Sequence, residues 1–263
     1  MPEVASLTYA ALDGIAFAAS RGRLADTPEY SATDLGPLIE MFQLARTGLL
    51  PPPGSAPWLR LNGSEAILRA IAGNADGWAS THGSGTGFLG CAVVQTAPKR
   101  WTSFKLEAHK AALTAGFPPQ AVSRLMGAMG EIVDNVLEHS EAAGTGFVVF
   151  GSRTGSFEFA VADDGIGVLA SLRSNAEYAY LTDEGDALQC ALTDGESRFG
   201  KAAKRGTGFS TLFRSLVNMN ASLRFRSGDH ALSMHGTSPT LVNAHVARKP
   251  RASGFMVSVR CAI

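Results

Sequence analysis

One segment, Phe117 to Ser140 (FPPQAVSRLMGAMGEIVDNVLEHS), constrains the fold more than any other, because its spacing fits a long helix with two unlike faces. Pro118 and Pro119 suit a helix start, where the missing N–H would have no intrahelical partner. At about 100° per residue, Val122, Leu125, Met126, Met129, Ile132, Val133, Val136 and Leu137 gather into one apolar stripe that has to be buried on another element. Glu131, Asn135, Glu138 and His139 fall on the opposite side. A solvated polar face satisfies that periodicity. Glu131 and Asn135, however, are neighbours one turn apart, and a carboxylate beside a neutral amide can also hold a base next to a metal ligand.

At 263 residues the chain is long enough for one large domain or two modest ones. Lys plus Arg equals Asp plus Glu at 23 each, so no net field draws the chain to nucleic acid or to an anionic membrane, and neither is expected as a partner. Cys91, Cys190 and Cys261 lie far apart without metal-ligand spacing and are expected as reduced core thiols. Asn62-Gly63-Ser64 fits a glycosylation sequon, but nothing else points to secretion. The N-terminus lacks the basic region and apolar run of a signal peptide, and the longest apolar segments, such as Ile15 to Ala19, fall short of a membrane span. A soluble, cytoplasmic protein is expected.

Residues 1 to 100 read as a smaller mixed α/β domain of unknown role. Leu7 to Ser20, Asp34 to Ala45 and Ser64 to Gly73 have helical spacing, with Ser64 as an N-cap, and prolines break the chain between Gly48 and Pro57. His82 to Gly90 is glycine-dense and reads as a loop, and Cys91 to Gln95 as a short buried strand. Phe104 to Ala115 reads as a helix. Gly146 to Arg153 and Phe157 to Ala162 form an expected hairpin around Thr154-Gly155, and the second strand runs into Asp163-Asp164-Gly165-Ile166-Gly167. Residues 169 to 203 look irregular, with short helical possibilities at Leu169 to Asn175 and Asp186 to Ala191. A helix is expected from Phe209 to Met219, a hairpin over Ala221 to Met234 and a last strand over Phe255 to Ala262.

Gly-Thr-Gly-Phe occurs three times, at Gly85, Gly144 and Gly206. A phosphate-binding glycine loop needs a strand before it and a helix N-terminus after it, where free N–H groups and the helix dipole favour an anion. The first copy also spells G-x-G-x-x-G through Gly90, but it reads as a loop entering a strand, as does the second. Only the third has basic residues before it, Lys204 and Arg205, and a helix after it. Gly206, Thr207 and Gly208 would let backbone N–H groups approach an anion closely, though a plain helix start fits the same loop. Asp163-x-Gly165-x-Gly167 ends a strand, where carboxylates are often functional, and it lacks the alternating ligands of a calcium loop.

A helix with Glu131 and Asn135, a strand ending in Asp163-x-Gly165-x-Gly167, a long segment and then Gly206-x-Gly208 at a helix start follow one another in this order. From about Trp101 to Ile263 this resembles the GHKL nucleotide-binding family of gyrases, chaperones, histidine kinases and mismatch-repair ATPases. The wording GEIVDNVLEHS looks most like the bacterial anti-sigma-factor serine kinases, whose first motif is E-x-x-x-N with a His one turn on. The resemblance implies an α+β fold for residues 101 to 263, a two-layer α/β sandwich of the Bergerat type with a mixed sheet and helices on one face. It implies Asn135 as Mg²⁺ ligand, Glu131 as general base and Asp163 as acceptor for the adenine amino group. Gly165 and Gly167 would pass close to the base, residues 169 to 205 would form a lid, and Lys204, Arg205 and Gly206 to Gly208 would meet the phosphates of ATP. The family's last motif, G-T-x-F, is partly kept as Ala252-Ser253-Gly254-Phe255, with Ser253 retaining the hydroxyl.

The implied function is an ATP- and Mg²⁺-binding regulator that phosphorylates or switches a protein partner on Ser or Thr. The alternatives are a nucleotide-gated binding module and a slow ATPase without a phosphoacceptor. His139 fits either a place near the phosphates or a helix end bonded to backbone. A sensor kinase would need a long dimerising hairpin ahead of residue 101, and a gyrase-like clamp a second catalytic lysine beyond the ATP domain; neither is expected. The first hundred residues are expected to recognise a partner or to form a homodimer.

Overall fold

The structure, a computed structural model, describes residues 4–24, 27–73, 77–80, 85–193, 212–213, 216 and 218–263. Along the chain come β1 (Ala5–Ser6), α1 (Tyr9–Ala19), β2 (Tyr30–Ser31), α2 (Leu35–Arg46), β3 (Leu59–Arg60) and α3 (Glu65–Ala72). Next are β4 (Gly77–Ser80), β5 (Thr86–Gly90), α4 (Ala92–Thr96), α5 (Pro98–Thr114), α6 (Pro119–His139), β6 (Phe147–Arg153) and β7 (Ser156–Asp163). They are followed by α7 (Gly167–Arg173), α8 (Glu184–Leu192), β8 (Asn220–Ser227), β9 (His230–Thr237), β10 (His245–Arg248) and β11 (Phe255–Ala262). The short strands β1, β2 and β3 pair in parallel. The other eight form one sheet in the order β10-β9-β8-β11-β7-β6-β5-β4.

The long helix forms where its spacing predicts. Pro119 opens α6, and Val122, Leu125, Met126, Met129, Ile132, Val133 and Val136 are all buried. They pack with α5 and α8 on the front of the sheet, against Val148, Phe150, Phe157, Phe159 and Val161. The alternate residues of the same strands, Phe147, Val149, Ala160 and Ala162, face backward onto Leu35 and Ile39 of α2 and Ile67 and Ile71 of α3. Successive strand side chains point to opposite faces, so strands apolar at every position require a helix layer on each side.

Two expectations are corrected by this arrangement. Every ladder of the eight-stranded sheet is antiparallel among the described residues, so it is not a mixed sheet. Helices cover both of its faces, not one. The sheet also runs across the boundary expected near residue 100. β5 pairs with β6 from Thr86↔Gly151 to Gly90↔Phe147, and α2 and α3 supply the back layer. Thr86 to Gly90 of the glycine-dense stretch expected as a loop is therefore strand β5. A Cβ at Gly87 would lie 2.4 Å from the Phe150 ring, so the small residue makes room for an aromatic on the next strand. Cys91 to Gln95, expected as a strand, instead leads into helix α4.

A buried ionic group fastens the back layer to β8. Glu40 of α2, 1% exposed, accepts from Arg224 at 2.9 and 3.0 Å and from Arg226 at 2.9 Å. Asp13 of α1 bonds Arg224 at 2.7 Å and Lys249 at 2.7 Å. At the other end of α2, the Leu35 N–H donates to Glu158 at 2.8 Å and Asp34 pairs with Arg153 at 2.7 Å. The short helices expected at Leu169 to Asn175 and Asp186 to Ala191 are α7 and α8, and Asp183 caps α8 by accepting from Gly185 N–H at 2.7 Å. The helix expected over Phe209 to Met219 lies mostly outside the described residues. No helix among those described is long and apolar enough to cross a membrane.

Candidate functional site

At the end of β7, Asp163 pairs in register with Phe255, the first residue of β11. Its side chain is 3% exposed, and Oδ1 accepts from the Gly165 N–H at 2.7 Å. Burial pushes the carboxyl up to about 6, against the pull of the backbone N–H groups of Gly165 and Phe255. Near neutral pH it is a buried carboxylate with lone pairs left over, an acceptor only.

The loop that follows rests on the end of α6. Ile166 N–H donates to the Ser140 carbonyl at 3.0 Å, and a Cβ at Gly165 would lie 2.1 Å from that oxygen. Only glycine permits this approach. Gly167, with φ of +77°, opens α7, and the Val168 N–H donates to Ser227 Oγ at 2.9 Å. Ser227 in turn donates to Glu184 at 3.2 Å. The second loop, before β11, meets the first. Gly254 has φ of +56°, and a Cβ there would sit 1.9 Å from the Asp163 carbonyl.

Ser253 is in this cluster, with its hydroxyl donating to Asp164 Oδ1 at 2.9 Å. Asp164 also pairs with Arg46, and its N–H donates to Thr145 Oγ1 at 3.0 Å. A cavity of about 280 Å³ opens beside the two loops, lined by Gly165, Gly167, Gly228, Ser253 and Gly254 among others. A larger one of about 700 Å³ continues past Ile166 toward Arg173, His230 and Arg248.

Gly165, Gly167 and Ser253 thus line the smaller cavity together, while Asp163, at the base of the same loop, lines neither cavity, and nor do Glu131 and Asn135. Glu131 and Asn135 lie half-buried on α6, and their side chains form no hydrogen bond or ion pair among the described residues. At 1.5 Å per residue they stand about 14 and about 8 Å back along the axis from Ser140. A ligand anchored at Asp163 would have to extend along α6 to reach them. Lys204, Arg205, Gly206, Thr207 and Gly208 lie outside the described residues.

Among the described residues, no three His, Cys, Asp or Glu side chains cluster to hold a metal ion. The polar contacts from Gln43, Arg46, Thr145 and Ser227 had no signal in the sequence, since each is a single polar residue among unrelated neighbours. No family model, curated protein or solved structure matches the chain.

Proposed function

We propose that the protein binds ATP with Mg²⁺ at a GHKL-type site and uses it to phosphorylate Ser or Thr of a protein partner, or to switch that partner by nucleotide state. One observation carries the reading. A buried carboxylate, Asp163, ends a strand beside a glycine loop that is hydrogen-bonded to the helix bearing Glu131 and Asn135. The Bergerat assignment draws support from α6 lying across the front of the β6-β7-β11-β8 strands.

In this reading Asp163 accepts a hydrogen bond from an exocyclic amine of the base, and the Gly165–Gly167 backbone passes beside that base. Asn135 offers Mg²⁺ a neutral oxygen. When bound, the ion would neutralise charge on the phosphate oxygens. Glu131 takes the proton of the attacking hydroxyl, and Lys204 to Gly208 meet the phosphates. The partner is a protein, the setting cytoplasmic, and a homodimer is compatible with the reading. Glu131 favours chemistry over a binding module that reports ATP without turnover, because a pure binder has no need of a base.

Labelled ATP, incubated with the protein alone and with candidate partners, tests the proposal. Wild type should release or transfer label, and Glu131→Ala should lower the rate by about 10²-fold or more while still binding. Binding without turnover in both proteins would leave the gated module; no binding in wild type would sink the site.

A further inference from the structure

The stripe of α2 that faces the sheet changes character along its length. Leu35 and Ile39 are apolar and pack on Ala160, Ala162 and Met256. One turn further on, the same stripe carries Gln43, then Arg46. Gln43 is 1% exposed, and its Nε2 donates to the Asp163 carbonyl at 3.0 Å, to that of Ser253 at 3.2 Å and to that of Phe255 at 3.3 Å. Arg46 pairs with Asp164, whose carboxylate also holds the Ser253 hydroxyl.

Burying an amide costs free energy, and Gln43 leaves its Oε1 without a partner among the described residues, whereas apolar packing alone would be met by a leucine at position 43. The two Nε2 hydrogens of Gln43 are instead shared among three carbonyls, where one loop leaves β7 and a second enters β11. Those loops are the ones that form the candidate site. α6 holds the first of them from the front through Ser140, and α2 holds both from the back.

We propose that Gln43 and Arg46 are positioning residues for the Asp163–Gly167 loop, so that the segment before residue 100 sets the affinity of the nucleotide site through α2. This rests on the ATP reading for its ligand but not for its geometry. Neither side chain is assigned contact with the nucleotide. They fix where the Asp163 carboxylate and the Gly165 backbone stand.

The test uses the full chain and the variants Gln43→Leu, Arg46→Ala and Arg46→Lys. Ile67→Ala on the neighbouring helix α3 serves as a control for destabilisation alone. Two quantities are read: amide exchange at Gly165 and Ile166 without nucleotide, and affinity for Mg·ATP. Gln43→Leu and Arg46→Ala should exchange faster at both amides and bind Mg·ATP about tenfold more weakly. Arg46→Lys should recover much of the affinity, and Ile67→Ala should lower the melting temperature with little change in either reading. Unchanged exchange in Gln43→Leu and Arg46→Ala overturns the brace, whatever the nucleotide does. An equal loss in Ile67→Ala also overturns it, because general destabilisation would then account for the effect. Faster exchange in a protein whose wild type ignores Mg·ATP supports the brace and overturns the ATP reading instead.

Discussion

The Ser140 carbonyl accepts the Ile166 N–H at 3.0 Å, which makes the last turn of α6 and the loop after β7 one unit. Glu131 and Asn135 are carried by that helix and Asp163 sits at the base of that loop. Movement of either part shifts the other.

Gly165→Ala should break this unit. The added carbon would meet the Ser140 carbonyl at 2.1 Å, a backbone atom that cannot rotate away. A loss of about 1–3 kcal/mol in urea unfolding is expected, as for other overpacked sites. The melting-temperature rise with Mg·ATP should vanish as well. Gly127→Ala is the contrast: nothing lies within 4 Å of its added carbon, and removing a helical glycine should stabilise by about 0.5–1 kcal/mol.

Asp163→Asn keeps an oxygen for the Gly165 N–H and removes the charge, so the chain should fold while its Mg·ATP affinity falls. With the carboxyl pushed up to about 6, wild type at pH 5 holds it mostly protonated. Binding at pH 5 should then be about tenfold weaker than at pH 7.5, from the ionised fraction alone. Asp163→Asn should lack that pH step; calorimetric titration of both proteins at both pH values decides.

Glu158 should make the protein less stable as pH rises. Burial and the nearby Asp34 push its carboxyl up to about 7, against the Leu35 N–H and the Arg153 and Arg260 guanidiniums. The folded state therefore keeps a proton that the unfolded chain has already lost at its ordinary value of 4.5. Stability from this group is present below about 4.5 and lost as pH climbs through about 7, up to about 3 kcal/mol in all. Asp163 contributes with the same sign over about 4 to 6. Glu158→Gln should flatten the upper part of the curve; urea midpoints at pH 5, 6.5 and 8 measure it.

Glu40→Ala leaves Arg224 and Arg226 buried without their shared carboxylate. Removing one partner from a buried ion group typically costs about 3–5 kcal/mol, and this loss is expected in denaturant unfolding. Glu40→Gln, which retains an acceptor, should lose less.

What could be read ahead of the structure was what local pattern encodes. The α6 stripe announces itself by period, and the β6–β7 and β8–β9 hairpins by Thr154-Gly155 and Gly228-Asp229 between apolar runs. Asp163, Gly165 and Gly167 were legible because their spacing is local. Thr86 to Gly90 reads as a loop because Gly87 serves the Phe150 ring on another strand, which no window of sequence contains. Cys91 to Gln95 is too short an apolar run for period to separate strand from helix. The back layer was missed for a longer-range reason: Glu40 finds Arg224 across 184 positions, and neither residue betrays the other. Ser253 carries a hydroxyl in a recognisable motif, but nothing local marks the Asp164 carboxylate that accepts from it.

The strand order carries a consequence for how the chain acquires its fold. β4 to β7 and β8 to β10 share no ladder with each other, and β11, later in the chain than all of them, lies between β7 and β8. During synthesis the two blocks emerge first, each with its inner edge, β7 or β8, still unpaired. They can be joined only after residues 255–262 have left the ribosome. The central seam is thus the last to close, and until then both exposed edges are targets for chaperones or for one another's copies on neighbouring chains.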